Sequence, residues 1–200
     1  MASIAQHLLN IKAVELNTVN KFTWASGIQS PIYCDNRLTI AYPEVRRQLA
    51  KELSELVKTF GEVEIVAGTS TAGIPHAAFV SEVLDLPMAY VRGSKKSHGK
   101  GNQIEGANVE GKKVIVIEDL ISTGGSSLEA VNGVKAQGGE VVGVVAIFTY
   151  GLEKAKAQFE AADVEYKTVT NLDELLEEAV AIDYIDSNQA EEIKAWRDKL

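Results

Sequence analysis

Short runs of consecutive apolar residues alternate over most of the chain with segments in which apolar residues recur every three or four positions. The runs are typical of strands buried on both faces, and the longer spacing is typical of amphipathic helices. Strands are predicted at 64–68, 88–92, 114–118, 141–148 and 166–169. Helices are predicted at 43–60, 74–84, 125–136, 153–160, from Asn171 onwards and at 188–199. This alternation predicts an α/β fold in which helices flank a mainly parallel central sheet.

The opening part of the chain follows a different pattern. A first helix is predicted behind Ser3, whose hydroxyl is placed to cap it, with an apolar face that reaches as far as Val14. Segments 19–24 and 32–35 then flank a turn-rich stretch, which predicts a hairpin or a pair of short strands. We therefore interpret residues 1–40 as a small lobe added beside the sheet.

The most informative stretch begins at the buried strand 114–117. Glu118 and Asp119 follow this strand, and a loop of small and hydroxyl residues leads from Ser122 into the helix at Gly125. Ligands of open α/β sheets bind beyond the carboxyl ends of strands, and a helix N-terminus offers unpaired N–H groups to an anion. The stretch therefore supplies acceptors for hydroxyl groups and donors for a phosphate, as a phosphorylated sugar requires. Two acids and a glycine pair alone would equally suit a solvated βα turn.

Two further loops carry candidate chemistry. The loop 69–73 consists of small and hydroxyl residues at the end of another predicted strand, which lets backbone N–H groups approach a second anion. The segment 92–106 contains several glycines and four formal positive charges, at Arg92, Lys95, Lys96 and Lys100. A long cationic loop in a compact domain is usually functional, so we interpret it as a lid that closes over a polyanion.

Composition narrows the class of protein further. The 200 residues are 46% hydrophobic and 24% charged, which predicts one globular domain spanning residues 1–200. The single cysteine, Cys34, and the lack of a signal-peptide pattern predict a reducing, cytoplasmic location. The net charge of −8 argues against a nucleic-acid partner, and no apolar run is long enough to predict a membrane span.

Together these motifs resemble those of the orotate phosphoribosyltransferases, a branch of the type I phosphoribosyltransferase family. The resemblance covers nearly the whole chain and preserves the order of the motifs. It rests on segments 22–27 and 30–33, the loop 69–73, the run Arg92…Lys96-x-His98-Gly99 and the run 118–126. The run 118–126 matches the ribose-phosphate signature of all type I phosphoribosyltransferases, whereas the lid and the amino-terminal segments match the orotate branch more narrowly.

The resemblance implies a reaction and a set of roles. It implies the type I phosphoribosyltransferase fold and the transfer of a phosphoribosyl group from 5-phosphoribosyl 1-diphosphate (PRPP) to orotate, giving orotidine 5′-monophosphate and pyrophosphate. Mg²⁺ is the implied cofactor, held by substrate oxygens and water rather than by a set of protein ligands. The implied assembly is a homodimer whose lid acts across the interface, and the lobe around residues 22–33 would cover the base.

The resemblance also implies a role for each site residue. The implied catalytic residues are Arg92, Lys96, His98 and Asp119. The implied PRPP-binding residues are Arg92, Lys96 and His98 together with Thr69, Ser70, Thr71, Ala72, Gly73, Glu118, Asp119, Leu120, Ile121, Ser122, Thr123, Gly124, Gly125 and Ser126. Glu118 and Asp119 would face the ribose hydroxyls. Ser122 and Tyr33 are the implied orotate contacts.

Several positions depart from the enterobacterial pattern of the family. Ala25 and Gly93 stand where that pattern has lysines, Thr71-Ala72 stands where it has Tyr-Lys, and Tyr150 replaces an arginine that grips orotate. These substitutions leave the orotate carboxylate without an assigned charged partner. Two alternatives follow from the same motifs: a phosphoribosyltransferase for a purine base, and a non-catalytic regulator that senses nucleotides and binds RNA.

Overall fold

The computed structural model describes residues 2–24, 27–93 and 103–200. Its helices are α1 (Ile4–Asn10), a 3₁₀ helix (Asn36–Ala41), α2 (Pro43–Lys58), α3 (Gly73–Leu84), α4 (Gly125–Ala136), α5 (Glu153–Ala161), α6 (Leu172–Ala181) and α7 (Ser187–Arg197). Its strands are β1 (Val14–Leu16), β2 (Phe22–Thr23), β3 (Gln29–Ser30), β4 (Ile32–Cys34), β5 (Ile65–Thr69), β6 (Met88–Val91), β7 (Ile104–Gly106), β8 (Lys113–Ile121), β9 (Glu140–Thr149) and β10 (Tyr166–Asn171). None of these helices is long and apolar enough to cross a membrane.

The described strands form a central six-stranded sheet in the order β10-β9-β8-β5-β6-β7. The pairs from β10 to β6 are parallel, and only the edge strand β7 is antiparallel to its neighbour. The predicted α/β fold with a mainly parallel sheet is therefore confirmed. The carboxyl ends of β5, β6, β8 and β9 all lie on the same side of the molecule, at the carboxyl-terminal edge of the sheet. A ligand site is expected there.

Strand β8 is buried on both faces of the sheet, which explains its unbroken run of apolar residues. Its side chains alternate between two separate cores, one on each face of the sheet. Ile115 and Ile117 belong to the core that includes residues of α1, α2, α6 and α7. Val114 and Val116 belong to the opposite core, with residues of α4 and α5. Because helices cover both faces, no position of this part of the strand can be polar.

The amino-terminal lobe contains two small antiparallel sheets instead of one hairpin. Strand β2 pairs with β3, which lies inside the predicted turn-rich stretch, and the predicted second segment forms β4, which pairs with β1. The prediction that the first helix reaches Val14 was wrong. Helix α1 ends at Asn10, Lys12 takes a left-handed conformation at φ 57°, and Val14 pairs with Cys34. A helix cannot continue through a left-handed residue.

Two further boundaries differ from the prediction. Strand β8 runs on to Ile121, three residues past its predicted end at Glu118, so Asp119 also lies inside the strand and not in the loop beyond it. Residues 104–106, predicted as part of the lid, form β7 against β6. Both extensions come from pairing with a neighbouring strand, which local hydrophobic pattern does not reveal.

Candidate active site

Glu118 lies under the strand-to-helix loop and not in the open cleft. Only 5% of its surface is exposed. Its Oε1 accepts a hydrogen bond from the Asp119 backbone N–H at 3.0 Å. Its Oε2 accepts from the hydroxyls of Ser126 at 3.2 Å and Ser127 at 3.1 Å. This carboxylate therefore ties the end of β8 to the first turn of α4, while the neighbouring half-buried Asp119 is more accessible.

The burial of Glu118 changes its protonation. Desolvation, followed by the hydrogen bond and charge of Asp119, raises the pKa of Glu118 to about 7. A carboxyl whose pKa is raised on folding contributes stability below its unfolded pKa, and that contribution is lost as pH rises through the folded pKa.

The raised pKa of Glu118 predicts that wild type and Glu118→Gln, whose side chain cannot ionise, differ in stability by an amount that depends on pH. The free energy of unfolding of wild type, minus that of the variant, should fall by about 3 kcal/mol between about pH 4 and pH 8. Urea titrations at several pH values measure it. His76, whose pKa burial lowers to about 4, is present in both proteins, so its contribution cancels. A difference that stays flat with pH would contradict the raised pKa.

The loop from Ser122 to Ser126 has the geometry of an anion cradle. Gly124 adopts φ 88° and caps α4 without a side-chain hydrogen bond, so the first N–H groups of that helix stay available to a ligand. A Cβ at Gly124 would lie 2.8 Å from a ring carbon of Phe159. Conformation and space together require glycine there, and they place the start of the helix next to the carboxyl end of β8.

The second anion loop, 69–73, packs against β8, the strand that leads into the first loop. The Thr69 hydroxyl donates to the Ile117 carbonyl at 2.8 Å, and the Ser70–Thr71 peptide bond is cis. Gly73 begins α3 so close to β8 that an added Cβ would lie 2.5 Å from the Ile117 carbonyl oxygen. The structure therefore brings the two predicted anion loops together at one sheet edge.

Gly73→Ala tests this close approach. If this loop binds PRPP, as the resemblance implies, the methyl group would push the loop away from β8 and raise KM for PRPP about tenfold or more, with a smaller change in kcat. Steady-state kinetics with varied PRPP measures it. Gly111→Ala is the matched control: Gly111 has φ 68° and lies ahead of β8 at the opposite sheet edge. That substitution should cost about 1 kcal/mol of stability from backbone strain and leave KM unchanged. An unaltered KM for Gly73→Ala would contradict the assignment.

The structure describes only part of the predicted lid. Arg92 lies just beyond β6, where its guanidinium pairs with Glu105 of β7 at 3.2 Å. Glu105 also accepts from the Tyr90 hydroxyl at 2.8 Å. Lys96 and His98, predicted to be catalytic, lie outside the described residues, as do Lys95 and Lys100. The anchor of the lid segment is therefore the β6–β7 pair.

An aromatic cavity of about 470 Å³ lies between the amino-terminal lobe and the ends of β8 and β9. The Trp24 ring lies 5.5 Å from that of Tyr150, and its indole N–H donates to the Ile32 carbonyl at 3.1 Å. The cavity can enclose a flat ring, because its lining combines aromatic faces with hydroxyl groups. Its lining residues are Thr23, Trp24, Tyr33, Cys34, Leu120, Ser122 and Tyr150.

The lining contains both predicted base contacts, Tyr33 and Ser122, and residues that sequence reasoning did not assign. Trp24 and Cys34 reach the cavity because the two small sheets of the lobe fold over the end of β8. The motif containing Trp24 carried a signal, since an exposed-looking tryptophan in a loop often marks a binding surface. Cys34 carried no such signal.

A larger cavity of about 580 Å³, formed by β9, β10, α5, α6 and the end of α7, is a poorer candidate. Acidic residues outnumber basic ones in its lining, and Arg197 is already paired with Asp173 at 2.8 Å. A polyanion would be repelled there. We therefore place the candidate active site at the carboxyl ends of β5 and β8.

The fold and the site together define the class of protein to which this chain belongs. A parallel sheet with an acidic strand end, a helix-capping phosphate loop and a second anion loop beside it is the arrangement of a type I phosphoribosyltransferase. The sequence profile of the phosphoribosyl transferase domain matches residues 40–184.

Comparison with individual proteins narrows the class. The chain is 59% identical to the orotate phosphoribosyltransferase of Listeria monocytogenes serotype 4b, over 97% of this chain and 93% of that protein. It superposes on the orotate phosphoribosyltransferase of Aeropyrum pernix with a TM-score of 0.78 and 27% identity, over 88% of this chain and 97% of the other. It also superposes on the Mycobacterium tuberculosis enzyme in complex with PRPP, with a TM-score of 0.70 and 26% identity over 86% of this chain and 96% of the other. The chain belongs to the orotate phosphoribosyltransferase family.

Proposed function

We propose that this protein transfers the 5-phosphoribosyl group from PRPP to orotate, forming orotidine 5′-monophosphate and pyrophosphate in pyrimidine biosynthesis. The observation that carries the proposal is the aromatic cavity beside the two anion loops. Ser122 belongs to both features, since it lines the cavity and begins the phosphate loop. A base held in the cavity would therefore lie next to a sugar phosphate held by that loop.

Each part of the site has a role in this reaction. The backbone from Ser122 to Ser126 binds the 5′-phosphate, and the loop 69–73 binds the pyrophosphate. Asp119, more exposed than Glu118, is the carboxylate placed to face the ribose hydroxyls. Arg92, Lys96 and His98 neutralise the charge that develops on the departing pyrophosphate.

The bond changes follow from the two substrates. The bond between the anomeric carbon and the pyrophosphate oxygen breaks, and pyrophosphate leaves with the bonding electrons. A bond forms between the same carbon and the orotate ring nitrogen, whose proton is released. The sugar ring carries positive charge in between, which the Asp119 carboxylate stabilises at close range.

The residues present are compatible with Mg²⁺ carried by the substrate. Among residues 2–24, 27–93 and 103–200, no group of three or more His, Cys, Asp or Glu side chains could hold a metal ion. Mg²⁺ is usually held through one or two carboxylates together with substrate phosphates and water. Glu118 is occupied by serine hydroxyls, so Asp119 is the acid that would approach such an ion. When bound, Mg²⁺ neutralises charge on the diphosphate.

The chain acts as a single domain in which residues 1–40 cover the base, because their aromatic side chains line the cavity. It acts in the cytoplasm as a homodimer in which the lid of one subunit serves the site of its partner. Size-exclusion chromatography with light scattering tests the dimer.

Loss of orotate absorbance in the presence of PRPP and Mg²⁺ tests the reaction, with uracil and adenine as control bases. Consumption of orotate alone supports the proposal. Turnover of adenine instead would identify a purine phosphoribosyltransferase. If no base reacts, a titration with RNA at several salt concentrations tests the regulator, which would show a steep salt dependence.

A further inference from the structure

The carbonyl of Asp119 lies where the sheet no longer provides a partner. Strand β5 pairs with β8 up to the register Gly68 with Ile117, and β5 ends one residue later. Carbonyls two residues apart on a strand point to the same side, so those of Ile117 and Asp119 share a side, and that of Asp119 lies beyond the last pair of this ladder. The first accepts from the Thr69 hydroxyl at 2.8 Å. The second accepts from the Asn36 side-chain amide, also at 2.8 Å.

Asn36 reaches this point from a distant part of the chain, 83 residues away. It begins the 3₁₀ helix of the amino-terminal lobe, and only 1% of its surface is exposed. Its amide therefore replaces the ladder hydrogen bond that a longer β5 would have supplied. A main-chain carbonyl in this partly buried position gains a hydrogen-bond partner from the lobe that the sheet does not supply.

Asn36 is itself held on several sides. The Cys34 thiol contacts its Oδ1 at 3.4 Å, and the Thr39 hydroxyl donates to its backbone carbonyl at 2.6 Å. Thr39 is fully buried, and its hydroxyl lies 3.4 Å from Nε2 of His76 on α3. Helix α3 begins at the second anion loop. The amide is thus fixed against both β4 and the helix that follows the anion loop, which makes it a rigid support.

We propose that Asn36 is a positioning residue for catalysis, which acts by holding the main chain at Asp119 so that its carboxylate faces the sugar. The inference rests on the proposed function and goes beyond it, since Asn36 lies outside the cavity lining and is almost fully buried. Small displacements of a catalytic group lower kcat strongly, because its interaction with the transition state depends on distance. A support for Asp119 should therefore affect kcat more than substrate binding.

A double-mutant cycle on kcat tests the proposal, with Asn36→Ala, Asp119→Asn and the combined variant. We expect Asn36→Ala to lower kcat about tenfold and to change KM for PRPP less than about threefold. In the Asp119→Asn background, the same substitution should change kcat less than about twofold, because the group it positions no longer carries its charge. If instead the two effects multiply, Asn36 does not act through Asp119 and the proposal is overturned.

A second variant and a control separate positioning from general destabilisation. Asn36→Asp keeps the shape of the side chain but replaces the N–H donor with a negatively charged oxygen that faces the Asp119 carbonyl, so it should lower kcat at least as much as Asn36→Ala. Ser54→Ala removes a buried hydroxyl-to-carbonyl hydrogen bond of 2.6 Å within α2 and should leave kcat unchanged. Loss of activity that follows the melting temperature equally in all three variants would overturn the proposal, as would wild-type kcat in both Asn36 variants. Failure of wild type to consume orotate would instead reject the proposed function.

Discussion

Asp119→Asn is expected to lower kcat for orotate by about 100-fold while KM for PRPP changes less than about threefold. The substitution keeps the size of the side chain but replaces one acceptor oxygen with a donor group and removes the negative charge beside the sugar. That charge matters most when the ring is positive, so the loss falls on the transition state and not on substrate binding. The loss of orotate absorbance, followed at saturating PRPP and Mg²⁺, measures it.

Asp163→Asn is the matched control for this prediction. Asp163 is exposed and lies between α5 and β10, at the amino end of that strand and therefore at the sheet edge opposite the site. The same chemical change there should leave kcat at the wild-type value. Wild-type turnover in Asp119→Asn would contradict the assignment of this carboxylate to the reacting sugar.

Lys96→Ala is expected to have an effect of similar size, about 100-fold on kcat, with a smaller effect on PRPP binding. The physical reason is the charge that pyrophosphate gains as it departs. A lysine that meets this charge contributes most in the transition state, when the negative charge on the leaving group is greatest. Steady-state kinetics with varied PRPP separates kcat from KM. A raised KM with unchanged kcat would show that Lys96 contributes to substrate binding alone.

The same two variants test whether the site is shared between subunits. If the lid of one subunit serves its partner, a dimer formed from one Lys96→Ala chain and one Asp119→Asn chain contains one site with both native residues. Refolding the two impaired variants together should then restore activity to about a quarter of the sites, whereas each variant alone keeps only its residual activity of about one-hundredth. A mixture that shows no more than this residual activity would place Lys96 and Asp119 of one chain in the same site.

The pattern of apolar residues predicted the central strands and the helices that follow them wherever strand pairing was consistent with that pattern. Strand β8 needed apolar residues on both faces, and the glycines and hydroxyls after it could form only a tight turn into a helix. The predicted run from Glu118 to Ser126 is therefore continuous in the structure and faces the loop 69–73. Pattern failed at Val14 and at residues 104–106, because short edge strands form through contacts with distant segments.

Residues close together along the chain were enough to predict the α/β alternation, the two anion loops and the acidic pair. How these residues lie relative to one another was set by the tertiary structure. It buried Glu118 under Ser126 and Ser127, left Asp119 as the accessible acid and folded Trp24 over the end of β8. It also brought Asn36 across 83 residues to the Asp119 carbonyl. A buried polar group must find a hydrogen-bond partner wherever the fold supplies one, and sequence distance places no limit on that choice.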